Sequence, residues 1–380
     1  MRILIDVGHP AHVHMYHYFT EEMQRRGHEV LFSCRDKEFE IRLLKQFGFK
    51  YVNVGKKHKG IVGKIFDTIW YDFLELLLAL RFRPDVFMSH GSLLSAHVSW
   101  LLRKPHITLE DTFNMEQVNL YVPFSKVVFT AMYDNPLVGR KNVLRYSGYK
   151  ELMSLHPNWF TPDMEGIKEE LGLRTEEKFS IVRFVAWNAT HDRGHRGISI
   201  ENKVKAIQTF AKYGRVFISS EGALPPEIEA LLSDEAIRRE GEVLQYPVQR
   251  FSLAPERMHH AEAAASLVWG ESSTMVAEAA VLGTPGVFLD NTGRLFTKDI
   301  EEHYGLCYNL TESPEDQSRA IEIGEQILSG QIPVDFRARH EQLLREKIDV
   351  TGMFCWFIEN YPESEKMWRE NRQEMEERFK

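Results

Sequence analysis

The sequence predicts an α/β protein of two domains, each built on a parallel β-sheet that helices cover on both faces. Short apolar runs of strand length alternate with helix-length segments along most of the chain. Such alternation favours parallel sheets, because a crossover helix joins each strand to the next. The chain has 380 residues, which is more than one ordinary hydrophobic core supports. We therefore expect two domains of common size.

The first half of the chain contains six predicted strands. They are 2–7, 29–33, 51–54, 85–89, 106–109 and 126–130. The helices predicted between them are 14–26, 38–47, 65–81 and 92–102. Gly27 and Gly48 follow two of these helices, at the position where glycine commonly ends a helix. The spacing of apolar residues gives the 65–81 helix one apolar side.

The rhythm breaks between residues 148 and 166, where Pro157 and Pro162 predict an interdomain linker. The strands predicted after it are 179–184, 215–219, 242–244, 265–269 and 286–289. The helices predicted after it are 201–212, 225–232, 255–264, 273–282 and 314–329. We expect domains at 1–150 and 151–352, followed by a helical tail at 353–380. The charge-dense end of that tail, 367–380, is predicted to be a solvated helix.

Composition excludes several classes of protein. Hydrophobic residues make up 43% and charged residues 27% of the chain, which excludes a disordered or collagen-like chain. The formal net charge of −8 lacks the basic excess typical of nucleic-acid binders. The three cysteines are far apart and form no Cys-x-x-Cys pair, so we expect reduced thiols and a cytoplasmic protein without a signal peptide. The apolar segment 65–82 carries three acidic residues and is predicted not to span a membrane.

A predicted strand at 265–269 ends at Gly270 and gives way to small hydroxyl residues before a helix begins. Ser272, Ser273 and Thr274 are suited to cap that helix, which leaves backbone amides open to an anion such as a phosphate. Glu278 follows Thr274 by four residues and so shares its helix face. A carboxylate there can accept hydrogen bonds from both hydroxyls of a ribose. The alternative is an ordinary capped helix with a solvated glutamate.

This segment resembles the nucleotide-diphosphate motif of glycosyltransferases with the GT-B fold. The segments 6–14, 183–191 and 255–260 resemble the domain-of-unknown-function-354 family, which consists of predicted GT-B glycosyltransferases. It is related to the UDP-GlcNAc 2-epimerases and to the lipid-linked GlcNAc transferase of peptidoglycan synthesis. The resemblance implies two Rossmann-like domains that face each other across a cleft, with Glu278 on the ribose and the hydroxyl residues before it on the diphosphate. Glu271 departs from the small or basic residue usual there, and we expect it to point away or to meet a cation.

Three histidines, His9, His12 and His14, follow the first strand, where Gly8 and Pro10 predict a tight loop. The resemblance implies that a histidine of this loop takes the proton from the acceptor hydroxyl, with His9 the first choice and His12 the second. An imidazole suits this role because its ordinary pKa is close to neutral pH. The alternatives are that the histidines cap the next helix, bind acceptor hydroxyls or bind a metal ion.

Further candidates follow other strands. In the loop 183–197, Arg193 is expected to neutralise the leaving diphosphate. The resemblance places Ser220, Glu221 and His260 near the base of the nucleotide. The remaining acceptor-side candidates are His14, His90, Glu110 and Asp111.

The predicted activity is transfer of a sugar from a nucleotide donor, a UDP-sugar, to a hydroxyl acceptor with inversion. The acceptor is a glycan, a lipid-linked molecule or a small molecule. The sequence contains no Asp-x-Asp, which predicts a metal-independent site without a further cofactor. The alternatives are a 2-epimerase and a nucleotide-sugar-binding protein without chemistry. The apolar face of 65–82 predicts core packing or, with the four lysines between 56 and 64, docking on a membrane or a lipid-linked acceptor.

Overall fold

The computed structural model of the protein describes residues 1–35, 39–55, 61–185, 196–232 and 245–380, and only the backbone of 61–68. The chain divides into two compact units. The first unit contains Met1–Phe160 together with Arg345–Lys380, and the second contains Thr161–Leu344. Each unit is built on one parallel sheet.

The first unit contains a seven-stranded sheet in the order β3-β2-β1-β4-β5-β6-β7, and every neighbouring pair is parallel. Its strands are β1 (Arg2–Val7), β2 (Glu29–Cys34), β3 (Tyr51–Asn53), β4 (Val86–His90), β5 (His106–Leu109), β6 (Val127–Ala131) and β7 (Val143–Tyr146). Its first helices are α1 (Pro10–Met15), α2 (His17–Arg25), α3 (Glu40–Gln46), α4 (Ile61–Phe82), α5 (Leu93–Leu101), α6 (Met115–Tyr121) and α7 (Leu152–Leu155). Part of its core lies where Ala79 of α4 and Val98 of α5 pack with Leu4 and Phe87 of the sheet.

The second unit contains a six-stranded parallel sheet in the order β10-β9-β8-β11-β12-β13. Its strands are β8 (Phe179–Phe184), β9 (Arg215–Ser220), β10 (Val248–Arg250), β11 (Leu267–Gly270), β12 (Gly286–Leu289) and β13 (Cys307–Leu310). Its helices are α8 (Met164–Glu170), α9 (Ile200–Phe210), α10 (Pro226–Glu229), α11 (Met258–Ala264), α12 (Ser273–Val281), α13 (Leu295–Tyr304) and α14 (Pro314–Ser329). Trp269 and Phe210 meet edge to face in its core. The helix α15 (Phe336–Glu346) leads out of this unit.

The last two helices, α16 (Val350–Glu359) and α17 (Glu363–Glu376), belong to the first unit. Phe354 and Phe357 of α16 pack against Phe129 of β6 at ring-centroid distances of 5.0 and 4.9 Å. In α17, Trp368 is 1% exposed and Met375 is 2% exposed. The prediction of a solvated helix at 367–380 is therefore wrong for one side of the helix, because Trp368 and Met375 on that side are buried.

The unit boundaries differ from those expected from the sequence. The first boundary lies at 160/161 rather than 150/151, and residues 345–380 pack with the first unit rather than forming the end of the second domain and a tail. The expected linker contains the short helix α7 and the start of α8. The predicted strand 242–244 lies outside the described residues.

Most predicted strands and helices are present, including α16, which falls largely within the helical tail predicted at 353–380. The unpredicted strands and α-helices of the described residues are α6, β7, α7, α8, β10, α13, β13 and α15. The strands among them have three or four residues each, too few to show a clear apolar pattern. The predicted helix 14–26 is two helices, α1 and α2, with a break at Tyr16. In the described part of the chain, no helix is both long and apolar enough to cross a membrane.

Candidate functional site in each unit

A buried aspartate holds together the loops that follow β1, β2 and β4. Asp6, at the end of β1, accepts hydrogen bonds from the hydroxyls of Ser92 at 2.6 Å and Ser33 at 3.2 Å. It also binds the guanidinium of Arg35 at 3.2 Å. A Cβ atom at Gly8 would lie 2.7 Å from that guanidinium, so glycine makes room for Arg35. The loop that carries the histidines is thus fixed at its base.

His9 caps α1. Its Nδ1 atom accepts a hydrogen bond from the Ala11 amide at 3.1 Å, and the side chain is exposed. A neutral imidazole has one donor and one acceptor nitrogen, so this bond leaves the ring proton of His9 on Nε2. Helix capping by His9 is one of the alternatives to base catalysis that the sequence analysis named for these histidines.

His12 and His90 bring two strand ends together. Their ring centroids are 4.8 Å apart. The pKa of His12 is lowered well below its ordinary value by burial and by the neighbouring charges of His90, His9 and Lys150. His12 is therefore neutral at neutral pH.

The carboxylate of Asp111 contacts both His90 and Lys150. Its Oδ1 atom is 2.9 Å from Nε2 of His90, and Lys150 binds its other oxygen. Burial raises the pKa of the Asp111 carboxyl, but Lys150 and His90 outweigh burial and hold it well below its usual range. Neither Nε2 of His90 nor Oδ1 of Asp111 makes a well-aligned hydrogen bond with the described residues. A proton on Nε2 would turn this close contact into a hydrogen bond and would leave Nδ1 as the acceptor nitrogen.

Glu110 and His14 have other contacts. One oxygen of Glu110 accepts the amides of Thr112 and Phe113 at 2.8 and 2.7 Å, and Tyr121 donates to the other oxygen. These bonds hold the loop after β5 in place, including Phe113 in its left-handed conformation. The ring of His14 packs edge to face on Phe47, the residue that follows α3.

In the second unit, the junction of β11 and α12 has the geometry that the sequence predicts. A Cβ atom at Gly270 would lie 2.1 Å from the carbonyl oxygen of Arg183, so only glycine fits beside β8. The hydroxyl of Ser272 caps α12 by accepting the Met275 amide at 3.4 Å. The amides of Ser273 and Thr274 have no acceptor among the described residues. Free amides at a helix start, together with the helix dipole, attract an anion.

Glu271 turns inward beneath this helix start. Its carboxylate accepts the amides of Val185 and Ile198 at 2.9 and 2.7 Å and lies 3.2 Å from the ammonium of Lys203. The expectation that Glu271 meets a cation is confirmed. Its charge is compensated where it lies and does not repel an anion at Ser273.

Glu278 lies one turn into α12 and is mostly buried. Its Oε1 atom is 3.2 Å from Nε2 of His259 on α11. Glu262, also on α11, is completely buried close to this pair. Burial and the neighbouring Glu278 raise the pKa of Glu262 well above its ordinary value.

Arg183, at the end of β8, joins two neighbouring strand ends. Its guanidinium donates to the hydroxyl of Ser219 at 2.8 Å and to the carboxylate of Glu221 at 2.7 Å. The Ser220 hydroxyl closes the turn to Gly222. These contacts fix the loop in which Ser220 and Glu221 were predicted to lie near a nucleotide base.

The last two candidates for nucleotide binding are His260 and Arg193. Nδ1 of His260 accepts the Asp163 amide at 2.9 Å, which ties α11 to the start of α8. Burial and Arg257 lower the pKa of His260. Arg193 lies outside the described residues.

The structure thus gathers His9, His12, His90 and Asp111 in the first unit and Ser272, Ser273, Thr274 and Glu278 in the second. Sequence reasoning missed Lys150, His259 and Glu262. A signal existed for the last two, since a spacing of three residues on a helix places them on one face. No local signal points to Lys150, which meets Asp111 only through the fold.

The fold is similar to that of several solved enzymes. The UDP-GlcNAc 2-epimerase from Neisseria meningitidis, bound to UDP-GlcNAc, has a TM-score of 0.61 at 13% identity, over 91% of this chain and 95% of that one. MurG from Acinetobacter baumannii has a TM-score of 0.56 at 14% identity, over 94% and 99%. The calicheamicin glycosyltransferase CalG4 has a TM-score of 0.59 at 14% identity, over 95% and 98%. These similarities confirm the GT-B fold. Comparison with curated protein sequences gives no match.

The family model described as "Protein of unknown function (DUF354)" matches residues 1–299. This match covers well over half of the chain and includes the motif segments that carry the resemblance. The chain belongs to the DUF354 family.

Proposed function

We propose that the protein transfers a sugar from a nucleotide-diphosphate donor, a UDP-sugar, to a hydroxyl acceptor. The observation that carries the proposal is a pair of amides, at Ser273 and Thr274, that find no acceptor in the described part of the chain and lie about one helical turn before Glu278. In this arrangement the amides bind the diphosphate and Glu278 accepts the ribose hydroxyls. Solved structures of similar fold were obtained with UDP-GlcNAc, UDP and dTDP, which supports a nucleotide ligand of this class.

The second unit supplies further donor contacts in this proposal. Ser272 holds the helix start in place, and Ser220, Glu221 and His260 lie in the region assigned to the nucleotide base. Arg193 is proposed to pair with the leaving diphosphate, and its position lies outside the described residues. Donors directed at the departing diphosphate stabilise the charge that develops there in the transition state.

The proposed base is His90 rather than the first sequence choice, His9. Nδ1 of His9 is occupied by the helix cap, so His9 would have to release Ala11 before taking a proton there. We propose that Nε2 of His90 carries its proton toward the Asp111 carboxylate, 2.9 Å away, which leaves Nδ1 to accept the hydroxyl proton. His9 and His12 are then proposed to bind the acceptor hydroxyl, with inversion at the sugar.

A second candidate reaction is 2-epimerisation of a UDP-sugar without an acceptor. Several structures of similar fold are UDP-GlcNAc 2-epimerases, and Asp111 provides a buried carboxylate at the edge of the first sheet. Lys150 pairs with that carboxylate, and Lys150 and His90 hold its pKa well below its usual range, which makes it a poor proton carrier. We therefore favour transfer.

An exposed apolar face suggests where the acceptor is found. On α4, Ile69, Trp70, Phe73, Leu77 and Leu80 are exposed by 46–67%. On the neighbouring α5, Trp100 and Leu101 are exposed by 61% and 58%. These seven residues form the α4–α5 face, which corrects the expectation of core packing for this side of the helix.

The charges around the α4–α5 face fit an anionic surface. Arg81, Arg83, Arg103 and Lys104 are exposed at the ends of the two helices. Of the acidic side chains described on α4, Glu75 is buried and Asp72 pairs with His97. Tryptophan beside basic residues is typical of helices that lie on a lipid surface. We propose that this face docks on an anionic bilayer that carries a lipid-linked acceptor.

The donor site is tested by Glu278→Gln, with UDP and 2′-deoxy-UDP as ligands in calorimetric titration. A hydrogen bond to a charged group contributes about 1.5–3 kcal/mol, so we expect roughly 10- to 100-fold weaker UDP binding by the variant. Removal of the 2′-hydroxyl should weaken binding to the native protein and have little effect on the variant. Glu322→Gln, at an exposed position on α14, is the control. Equal loss in both proteins on removing the hydroxyl would rule out the ribose contact.

The base is tested by His90→Ala, with UDP release and UDP affinity measured on the same preparation. A positioned base contributes about 10²- to 10⁴-fold to the rate, so turnover should fall by that factor while UDP affinity stays constant. His9→Ala should lose less turnover, and His303→Ala, at an exposed position on α13, should lose none. Abolished turnover in His9→Ala with an active His90→Ala would instead make His9 the base.

Transfer and epimerisation are distinguished by incubating the protein with UDP-GlcNAc alone and following C2 by NMR. If the protein is a transferase, no C2 epimer should form, and UDP should be released only when an acceptor is added. Accumulation of a C2 epimer without an acceptor would establish the isomerase. Binding of UDP-sugars with neither outcome, across a panel of lipid-linked and soluble acceptors, would indicate a binding protein without chemistry.

Membrane docking is tested by sedimentation with vesicles that contain phosphatidylglycerol, compared with vesicles of phosphatidylcholine alone. Burial of one large apolar side chain contributes about 1.5–3 kcal/mol, so Phe73→Ser with Trp100→Ser should reduce binding to the anionic vesicles roughly tenfold or more. Val138→Ser, at an exposed apolar position elsewhere in the first unit, should bind as the native protein does. The proposal would be contradicted if the native protein did not sediment with the anionic vesicles. It would also be contradicted if the double substitution turned an oligomer of the native protein into monomers.

A further inference from the structure

Three potential metal ligands meet between α11 and α12. His259 and Glu262 lie on one face of α11, and Glu278 lies on α12. Each offers one ligand atom, and these atoms all lie within 4.8 Å of one another. The three side chains are buried. We call them the α11–α12 cluster.

A second observation points to a missing ligand at this position. Glu262 is 0% exposed, and neither of its carboxyl oxygens has a hydrogen-bond partner among the described residues. A buried carboxyl group without a partner is costly, whether charged or protonated, because burial removes its hydration and nothing replaces it. Protein interiors pair almost all such groups. Glu262 therefore lacks a partner that the described side chains do not supply.

A neighbouring cation does not fill this need. Arg183 acts electrostatically on Glu262, but its two terminal nitrogens donate to Ser219 and Glu221, and its Nε atom makes no hydrogen bond with the described residues. His259 lies against Glu278 rather than Glu262. One buried imidazole and two buried carboxylates thus remain together. A divalent cation would neutralise the two carboxylates and give the oxygens of Glu262 a partner.

We propose that His259, Glu262 and Glu278 bind a divalent transition-metal ion of the Zn²⁺ class. One imidazole nitrogen and two carboxylate oxygens are donors that zinc accepts, whereas Ca²⁺ and Mg²⁺ prefer oxygen ligands throughout. Ligand distances of about 2.0–2.2 Å around a tetrahedral ion separate neighbouring ligand atoms by roughly 3.4 Å. His259 and Glu278 are already 3.2 Å apart, so small side-chain rotations would complete the set.

The backbone around the cluster is fixed in a way that suits a preformed site. The hydroxyl of Thr284, just after α12, donates to the backbone carbonyl of Glu262 at 2.8 Å. This bond links the two helices that carry the ligands. A carboxylate has two oxygens, so Glu278 bound to the ion through one of them keeps the other for a second partner. The proposed site departs from the prediction of a metal-independent site, which rested on the absence of Asp-x-Asp, because its three ligands come from two helices and do not form that motif.

The metal proposal stands independently of sugar transfer and is tested on the full chain after treatment with a chelator. Equilibrium dialysis against Zn²⁺, with metal content measured by mass spectrometry, should give one more tightly held ion in the native protein than in Glu262→Gln. Glu322→Gln should retain it. The chain has 16 histidines that also attract zinc at the surface, so the difference between the two variants decides. Equal zinc content in the native protein and Glu262→Gln overturns the proposal.

Two further measurements distinguish failure of the metal proposal from failure of the variant to fold and from failure of the proposed donor site. If Glu262→Gln does not fold, thermal unfolding of the native protein decides: Zn²⁺ should raise the Tm where Mg²⁺ does not, and no shift overturns the proposal. If Glu262→Gln folds, it should still bind UDP, because Glu262 is not a proposed nucleotide contact. Zinc binding by a protein that does not bind UDP would refute the donor site and leave the metal site standing.

Discussion

The parallel pairing of every strand in both sheets is the constraint on which both candidate sites depend. In a parallel sheet all strands end at the same edge, so side chains far apart in sequence meet there. In the first unit the residues after β1, β4 and β5 bring His12, His90 and Asp111 together. In the second unit the ends of β8 and β9 bring Arg183 to Ser219 and Glu221. A one-residue shift in any of these pairings would turn the side chains to the opposite face.

Some polar groups of the two candidate sites have partners of opposite charge within the protein, whereas others have none and are candidates for ligand binding. Glu271 is buried, yet two backbone amides and Lys203 satisfy it. Asp111 is likewise held as a carboxylate by Lys150 and His90. The groups proposed to bind ligands in the second unit have no partner among the described residues: they are the amides of Ser273 and Thr274 on α12 and the carboxyl group of Glu262 on α11. An anion is the natural partner of the amides, and a cation is the proposed partner of Glu262.

The C-terminal helices show how the fold of one unit depends on residues at the end of the chain. Phe129 of β6 is covered by Phe354 and Phe357 of α16 and by Trp368 of α17. The indole of Trp368 also donates to the backbone carbonyl of Arg145 at 3.0 Å. The cover over Phe129 is thus complete only after the second unit has been synthesised. These contacts have no local signature, because each side of the contact looks like an ordinary amphipathic segment.

The sequence by itself determined the two parallel-sheet domains, most of their strands, the capped start of α12 and the family. Those features come from patterns over a few residues: apolar runs, glycine after helices, and hydroxyl residues before a helix. The tertiary structure decided which nitrogen of His9 accepts the helix-capping hydrogen bond, where residues 345–380 pack, that one side of α4 is exposed, and that Glu262 lies close to Glu278. These features depend on side chains that meet across large separations in sequence, and local periodicity carries no information about such meetings. His9 illustrates the difference, since its place after β1 was predictable, whereas the short α1 that it caps became visible only in the folded chain.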